Sequence, residues 1–210
     1  MSSSTNTSTT TRERILLAAE RLFSERGLNA VSLREVGTAA GQRNSAAVQY
    51  HFGDKEALLA AIFEHRMHAI NENRLQLLAA IQADGRSADL RSLLEAFVFP
   101  LAAQTSDPDS HYGGFLVQLL SDPTRRSGFD WESATSLRIV WASIQRSLGA
   151  LPPQTVEERM TMLHHVVVRT VADHDGTANA DAPNHPGWAV RLVDAALGLL
   201  TAPTSEHVGN

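Results

Sequence analysis

The chain has 210 residues, 43% of them hydrophobic, which is enough apolar material for one large or two small domains with a real core. It contains no cysteine, which excludes disulfides, thiolate nucleophiles and cysteine-based zinc sites and fits a reducing compartment. The formal charge is -5, but residues 1–70 carry eight Lys/Arg against seven acids (net +1) and the remainder ten against sixteen (net -6), so only the N-terminal part has a balance suited to a polyanion.

The opening MSSSTNTSTTTRER has no apolar core of the kind a signal peptide needs, and residues 1–10 read as a disordered tail. No stretch reaches eighteen apolar residues, since even WAVRLVDAALGLL is broken by Arg191 and Asp194; a cytoplasmic protein without a membrane partner is expected. Apolar spacing is helical almost everywhere and period-2 runs are absent, which predicts an all-α fold. Thr10 and Glu13 form a capping box for a first helix with Ile15, Leu16, Ala19, Leu22 and Phe23 on one face and Gly27 as its stop. A second box, Ser32 to Glu35, opens a short helix ending at Gly41. Ser45 to Phe52 reads as a third helix, Gly53 as its stop, and Asp54 as N-cap of a long fourth helix reaching about Ile81.

Beyond residue 84 the elements are more apolar. Asp89 caps a helix through Phe97 and Leu101, which Pro100 should kink by removing a donor and clashing with the preceding turn. A helix over Ser110 to Ser121 follows TSDPDS, and Leu137, Val140, Trp141, Ile144 and Leu148 mark another that stops at Leu151-Pro152. Thr155 and Glu158 form a third box, and after the polar DHDGTANADAPNHP the last helix starts at Pro186. These last two helices are apolar over a wide arc, so they form either a central core pair or a four-helix dimer interface with a second copy.

The stretch AGQRNSAAVQYHF has the pattern helix, tight turn with glycine, helix, which places a second helix in the major groove of DNA. Gly37 falls where the two helices cross most closely and Gly41 supplies the positive φ of a tight turn, with Val36, Ala40, Val48 and Phe52 as the small core beneath. The outward face then offers Ser45, Gln49 and Tyr50 rather than a Glu/Lys mixture. Over residues 12–64, the A-x-x-LF-x-x-x-G helix, the capped second helix, the aromatic-His-Phe tail and the Lys-Glu-Ala-Leu-Leu start of the fourth helix together resemble the DNA-binding domain of the TetR family of bacterial transcriptional regulators. Two departures stand out: Gly41 to Phe52 is one residue longer than the usual pattern, and Gln49 stands where the family typically has Tyr.

The resemblance implies an all-α homodimer, with a helix-turn-helix domain at 11–53 on a palindromic double-stranded DNA operator and helices 54–203 binding a small-molecule inducer and dimerising through the last two helices; 204–210 is a tail. Carried over by position, Ser45, Ala46, Ala47, Gln49 and Tyr50 lie on the recognition helix. Gln49 suits a bidentate contact to adenine and Arg34 a guanine or phosphate, while Tyr50, Lys55 and the helix start at Ser32 would position the DNA backbone. Lys55 is the single lysine of the chain. Around the inducer the expectation is Phe97, Tyr112, Phe115, Gln118, Trp141 and His164, an apolar set with few polar groups that suggests an apolar or aromatic ligand. No catalytic residue is expected, since His51 has neither nucleophile nor carboxylate at a recognisable spacing. No metal or cofactor is expected either, because His164 and His165 are adjacent and face different ways around a helix. The second reading left open is a helical small-molecule-binding protein or enzyme that has lost specific DNA binding.

Overall fold

The computed structural model describes residues 10–44, 46–121, 132–177 and 185–204. Regular structure among them is entirely helical: α1 (Thr11–Arg26), α2 (Leu33–Ala39), α3 (Ala47–Phe52), α4 (Lys55–Ala83), α5 (Leu90–Gln104), α6 (Tyr112–Ser121), α7 (Thr135–Ser147), α8 (Pro153–Ala172) and α9 (Gly187–Thr201), with a short 3-10 turn at Glu132–Ala134. The N-terminal tail expectation falls mostly on residues outside this description, as does most of the loop before Pro186.

The short polar residues do the punctuation. Thr10, Asp54 and Asp89 each accept a backbone N–H three residues on, and Ser32 with Glu35 forms both arms of a capping box. Each such cap is worth about 1 kcal/mol. At Thr10 only the Glu13 N–H arm is made. The expected box at Thr155 and Glu158 is corrected: α8 begins at Pro153, and Thr155 lies inside its first turn. Proline at the first helical position has a preset φ and no N–H to orphan, so it starts the helix ahead of the threonine. Likewise α6 starts at Tyr112, not Ser110, whose hydroxyl instead accepts the Tyr112 N–H.

α4 is the long element that joins the two halves. It packs on α1 and α3 at its start and on α5 and α7 further along, while α6 lies between α1 and α8, and α9 covers α5 and α8. Leu58, Leu59, Ile62, Phe63, Met67 and Ile70 make its buried stripe. Each fully buried side chain of this size contributes about 1.5–3 kcal/mol relative to exposure. Pro100 does not end α5, which runs from Leu90 to Gln104. Its missing N–H leaves the Ala96 carbonyl without a helical donor, and the Arg74 guanidinium supplies one from α4 at 3.0 Å. A second buried arginine, Arg159, donates to the carbonyls of Leu200 and Ala202 and so caps the negative end of α9.

Candidate nucleic-acid interface and ligand cavity

The turn between α2 and α3 is built by the backbone. Gly41, at φ +71, ends α2 with Gly41 N–H donating to Thr38 O (3.0 Å) and Gln42 N–H to Gly37 O (2.9 Å), the paired bonds of a Schellman turn. A Cβ at Gly37 would lie 3.3 Å from a methyl of Val48, so the close crossing of α2 and α3 leaves little room for a side chain there. The third helix starts at Ala47, two residues later than its sequence suggests. The Asn44 side chain accepts from Ala46 N–H (2.9 Å) and its carbonyl from Ala47 N–H (3.1 Å), so asparagine closes the turn ahead of the helix.

Val48 and Phe52 face inward, Ala47 is half-buried, and Ala46, Gln49 and Tyr50 face solvent, Tyr50 being 87% exposed. Ser45 lies outside the described residues. Ser32 and Arg34 are exposed at the start of α2. Glu35 is committed to structure. It accepts from the Ser32 N–H and hydroxyl and from Arg26, and these contacts hold its carboxyl at about 2, with the Ser32 backbone bond the largest cause. Lys55 is half-buried, and its Nζ donates to Val31 O at 2.8 Å while lying 5.6 Å from the Phe23 ring centre. It therefore fixes the loop leading into α2, a role the sequence did not suggest. His51 is exposed, with its ring in edge contact with Tyr50.

One carboxylate links this part to the rest. Glu20 of α1, 2% exposed, accepts from Arg66 of α4 at both oxygens (2.7 and 2.8 Å) and from the His111 N–H just before α6 (3.1 Å). On the far side of α6, Asp175 accepts from the N–H groups of Gly113 (3.0 Å) and Gly114 (2.7 Å). Its own burial pushes this carboxyl up, against the pull of those two donors. A Cβ at Gly114 would lie 2.1 Å from Ser24 Oγ of α1, and one at Gly113 2.7 Å from Ala172 Cα of α8. The two glycines let α6 sit wedged between α1 and α8, so a shift of α6 must move one or the other.

The ligand candidates separate into two groups. Phe97, Tyr112 and His164 line a small cavity of about 50 Å³, together with Phe63, Met67, Ile70 and Arg74. Trp141 and His164 line an adjoining open groove of about 420 Å³ between α6, α7 and α8. Trp141 makes edge contacts with both Phe97 and His164, each with ring centres 5.8 Å apart. Burial pushes the His164 imidazole down to about 4, so it is neutral at pH 7. Phe115 stacks on Tyr112 within the core, and Gln118 is turned toward Gly27 of α1; neither borders the cavity or the groove. Arg74 was not expected. Among the described residues no group of three potential metal ligands occurs, and no helix is long and apolar enough to cross a membrane.

Comparison with known proteins places this geometry. Residues 15–62 match the family model described as bacterial regulatory proteins, tetR family. The transcriptional regulator AcrR of Shigella flexneri is 39% identical over 84 residues, 40% of this chain and 38% of its own length. The repressor BepR of Brucella suis is 27% identical over 64% of this chain and 77% of its own. The match to AcrR thus spans under half of that relative. The fold extends further: the crystal structure of PfmR, a TetR family transcriptional regulator from Thermus thermophilus, superposes with a TM-score of 0.57 over 94% of this chain and all of its own at 18% identity. AmtR of Mycobacterium smegmatis gives 0.56 over 96% of this chain and 91% of its own at 22% identity.

Proposed function

Because the chain belongs to the TetR family of bacterial regulatory proteins, we propose that it is a sequence-specific DNA-binding transcriptional regulator, a repressor released from a palindromic operator by a small molecule. The observation that carries this reading is the exposed face of α2 and α3, where Arg34, Gln49 and Tyr50 stand out from a core held by Val36, Val48 and Phe52. Gln49 reads an adenine edge, worth about 1–3 kcal/mol of discrimination. Arg34, Tyr50 and the capped start of α2 at Ser32 position the phosphates, with Ala46 and Ala47 allowing close approach. Lys55 serves them through Val31.

The DNA-binding part is residues 11–53 and the ligand-binding and dimerisation part 54–203. Two recognition helices must stand about 34–36 Å apart to enter successive major grooves. A ligand held between α4, α5, α6 and α8 acts by favouring one placement of α6, which Glu20 and the close approach at Gly114 tie to α1. A gel-shift titration with the DNA upstream of its own gene, over a range of salt, tests the reading. The expected result is a specific complex whose affinity falls steeply with salt. No specific complex at low salt in any ligand state would reject it in favour of a helical ligand-binding protein that has lost DNA binding.

A further inference from the structure

Arg74 sits on the apolar stripe of α4, between Ile70 and Ile81, and is 2% exposed. Its Nε donates to Ala96 O (3.0 Å), its Nη2 to Phe97 O (3.1 Å) and its Nη1 to Ser136 Oγ (3.2 Å). Every one of these acceptors is neutral, and among the described residues no carboxylate pairs with it. A guanidinium has five N–H groups, so one remains on each Nη. The carbonyl left open by Pro100 accounts for the Nε bond and not for the charge, since a glutamine would donate there without burying a cation. Burial lowers the Arg74 pKa only to about 10, so the charge persists at neutral pH.

Tyr112 supplies the second observation. It is fully buried, borders the same cavity as Arg74, and its hydroxyl has no hydrogen-bond partner. A buried cation without a counter-ion and a buried donor without an acceptor thus line one space, whose other walls are apolar side chains and His164. Leu120, His164 and Val168 line both this cavity and the open groove, so the two adjoin across these three side chains. The groove's volume of about 420 Å³ falls within the range of small-molecule sites, about 300–1,000 Å³.

We propose that the inducer is an organic anion, an apolar body bearing one carboxylate, with the carboxylate oxygens accepting from the two unused Arg74 N–H groups and the Tyr112 hydroxyl. The body extends along the groove past His164 toward Trp141. A planar guanidinium matches a carboxylate with two parallel charge-assisted bonds, and exclusion of water strengthens them. This inference rests on the reading of α4 to α8 as a ligand-binding part, and goes beyond it in naming the charge and the head group of the ligand.

The full-length protein is titrated by calorimetry with octanoate, decanoate and phenylacetate and with the methyl ester of each. Each acid is expected to bind about tenfold or more tightly than its ester, as a charge-assisted pair requires. Arg74→Gln keeps a donor for Ala96 O and should erase the preference, with the far-ultraviolet circular dichroism unchanged. Tyr112→Phe should weaken the acids several-fold and leave the esters alone; it carries the test if Arg74→Gln does not fold. Equal binding of acids and esters, or a preference that survives both substitutions, overturns the anion proposal and leaves the ligand-binding reading standing. Binding of neither series by a protein that still holds its operator overturns both.

Discussion

Lys55 and Gln49 are six residues apart and have opposite surroundings. Lys55 spends a donor on Val31 O and lies over Phe23, whereas Gln49 stands in solvent. Lys55→Met should therefore cost about 1–2 kcal/mol of stability, the worth of a half-buried charge-assisted bond, measured by urea unfolding. It should weaken binding to all DNA sequences alike by loosening the start of α2. The slope of log affinity against log salt should hold, because a lysine that touched a phosphate would reduce it by about 0.9. Gln49→Ala should leave stability and slope unchanged and relax preference at one base pair, read by competition with operators altered singly. A slope that falls on removing Lys55 would return that residue to the phosphate contacts.

At the level of elements, the join between α1, α4 and α6 rests on Glu20 and Arg66, whose side chains are 2% and 10% exposed. Arg66→Met leaves the carboxylate buried with only the His111 N–H, and should cost about 3–5 kcal/mol in thermal or urea unfolding. The Glu20→Leu, Arg66→Met pair should recover most of that loss while blunting the ligand response, because the link from α6 to α1 is gone. A double variant as unstable as the single one would show that the pair stabilises in its own right. The element boundaries were largely legible, since Ser32, Asp54 and Asp89 cap where their spacing says and Gly27, Gly41 and Gly53 take positive φ where the helices stop. Thr155 misled because a proline pair upstream starts the helix first. Gln118 misled for a tertiary reason: which face of α6 meets α1 is decided by Gly113 and Gly114, whose role emerges only once α1 and α8 close on them. Arg74 was hidden because an arginine reads as an interruption of a stripe, yet its spacing from Met67, Ile70 and Ile81 already put it on the buried face.

Across the whole molecule, pH and self-association both follow from what the core refuses and the surface offers. His164 takes a proton at about 4 in the folded chain, against 6.5 as the ordinary value, because burial disfavours the charged ring. The unfolded chain therefore binds the proton first on acidification, and stability falls between pH 6.5 and about 4, by up to about 3 kcal/mol from this residue. His164→Phe should flatten that part of the stability-against-pH curve, and an unchanged curve would mean that the ring is solvated. On the outside, α8 exposes Met162 (52%) and Val166 (38%) one turn apart, and α9 exposes Val190 (41%). These belong to the helices whose wide apolar arcs suggested a dimer, and a second copy covering them would make a four-helix interface. Met162→Asp with Val166→Asp places two charges on one turn of that face. Sedimentation should then show a monomer, and affinity for a palindromic operator should fall about 10²-fold or more while a single half-site is bound as before, since what is lost is the second attachment. Leu75→Asp on α4, also exposed (43%), introduces the same charge elsewhere and should leave the dimer intact. If the double variant stays dimeric while Leu75→Asp does not, the interface lies along α4 and the pairing through α8 and α9 is wrong.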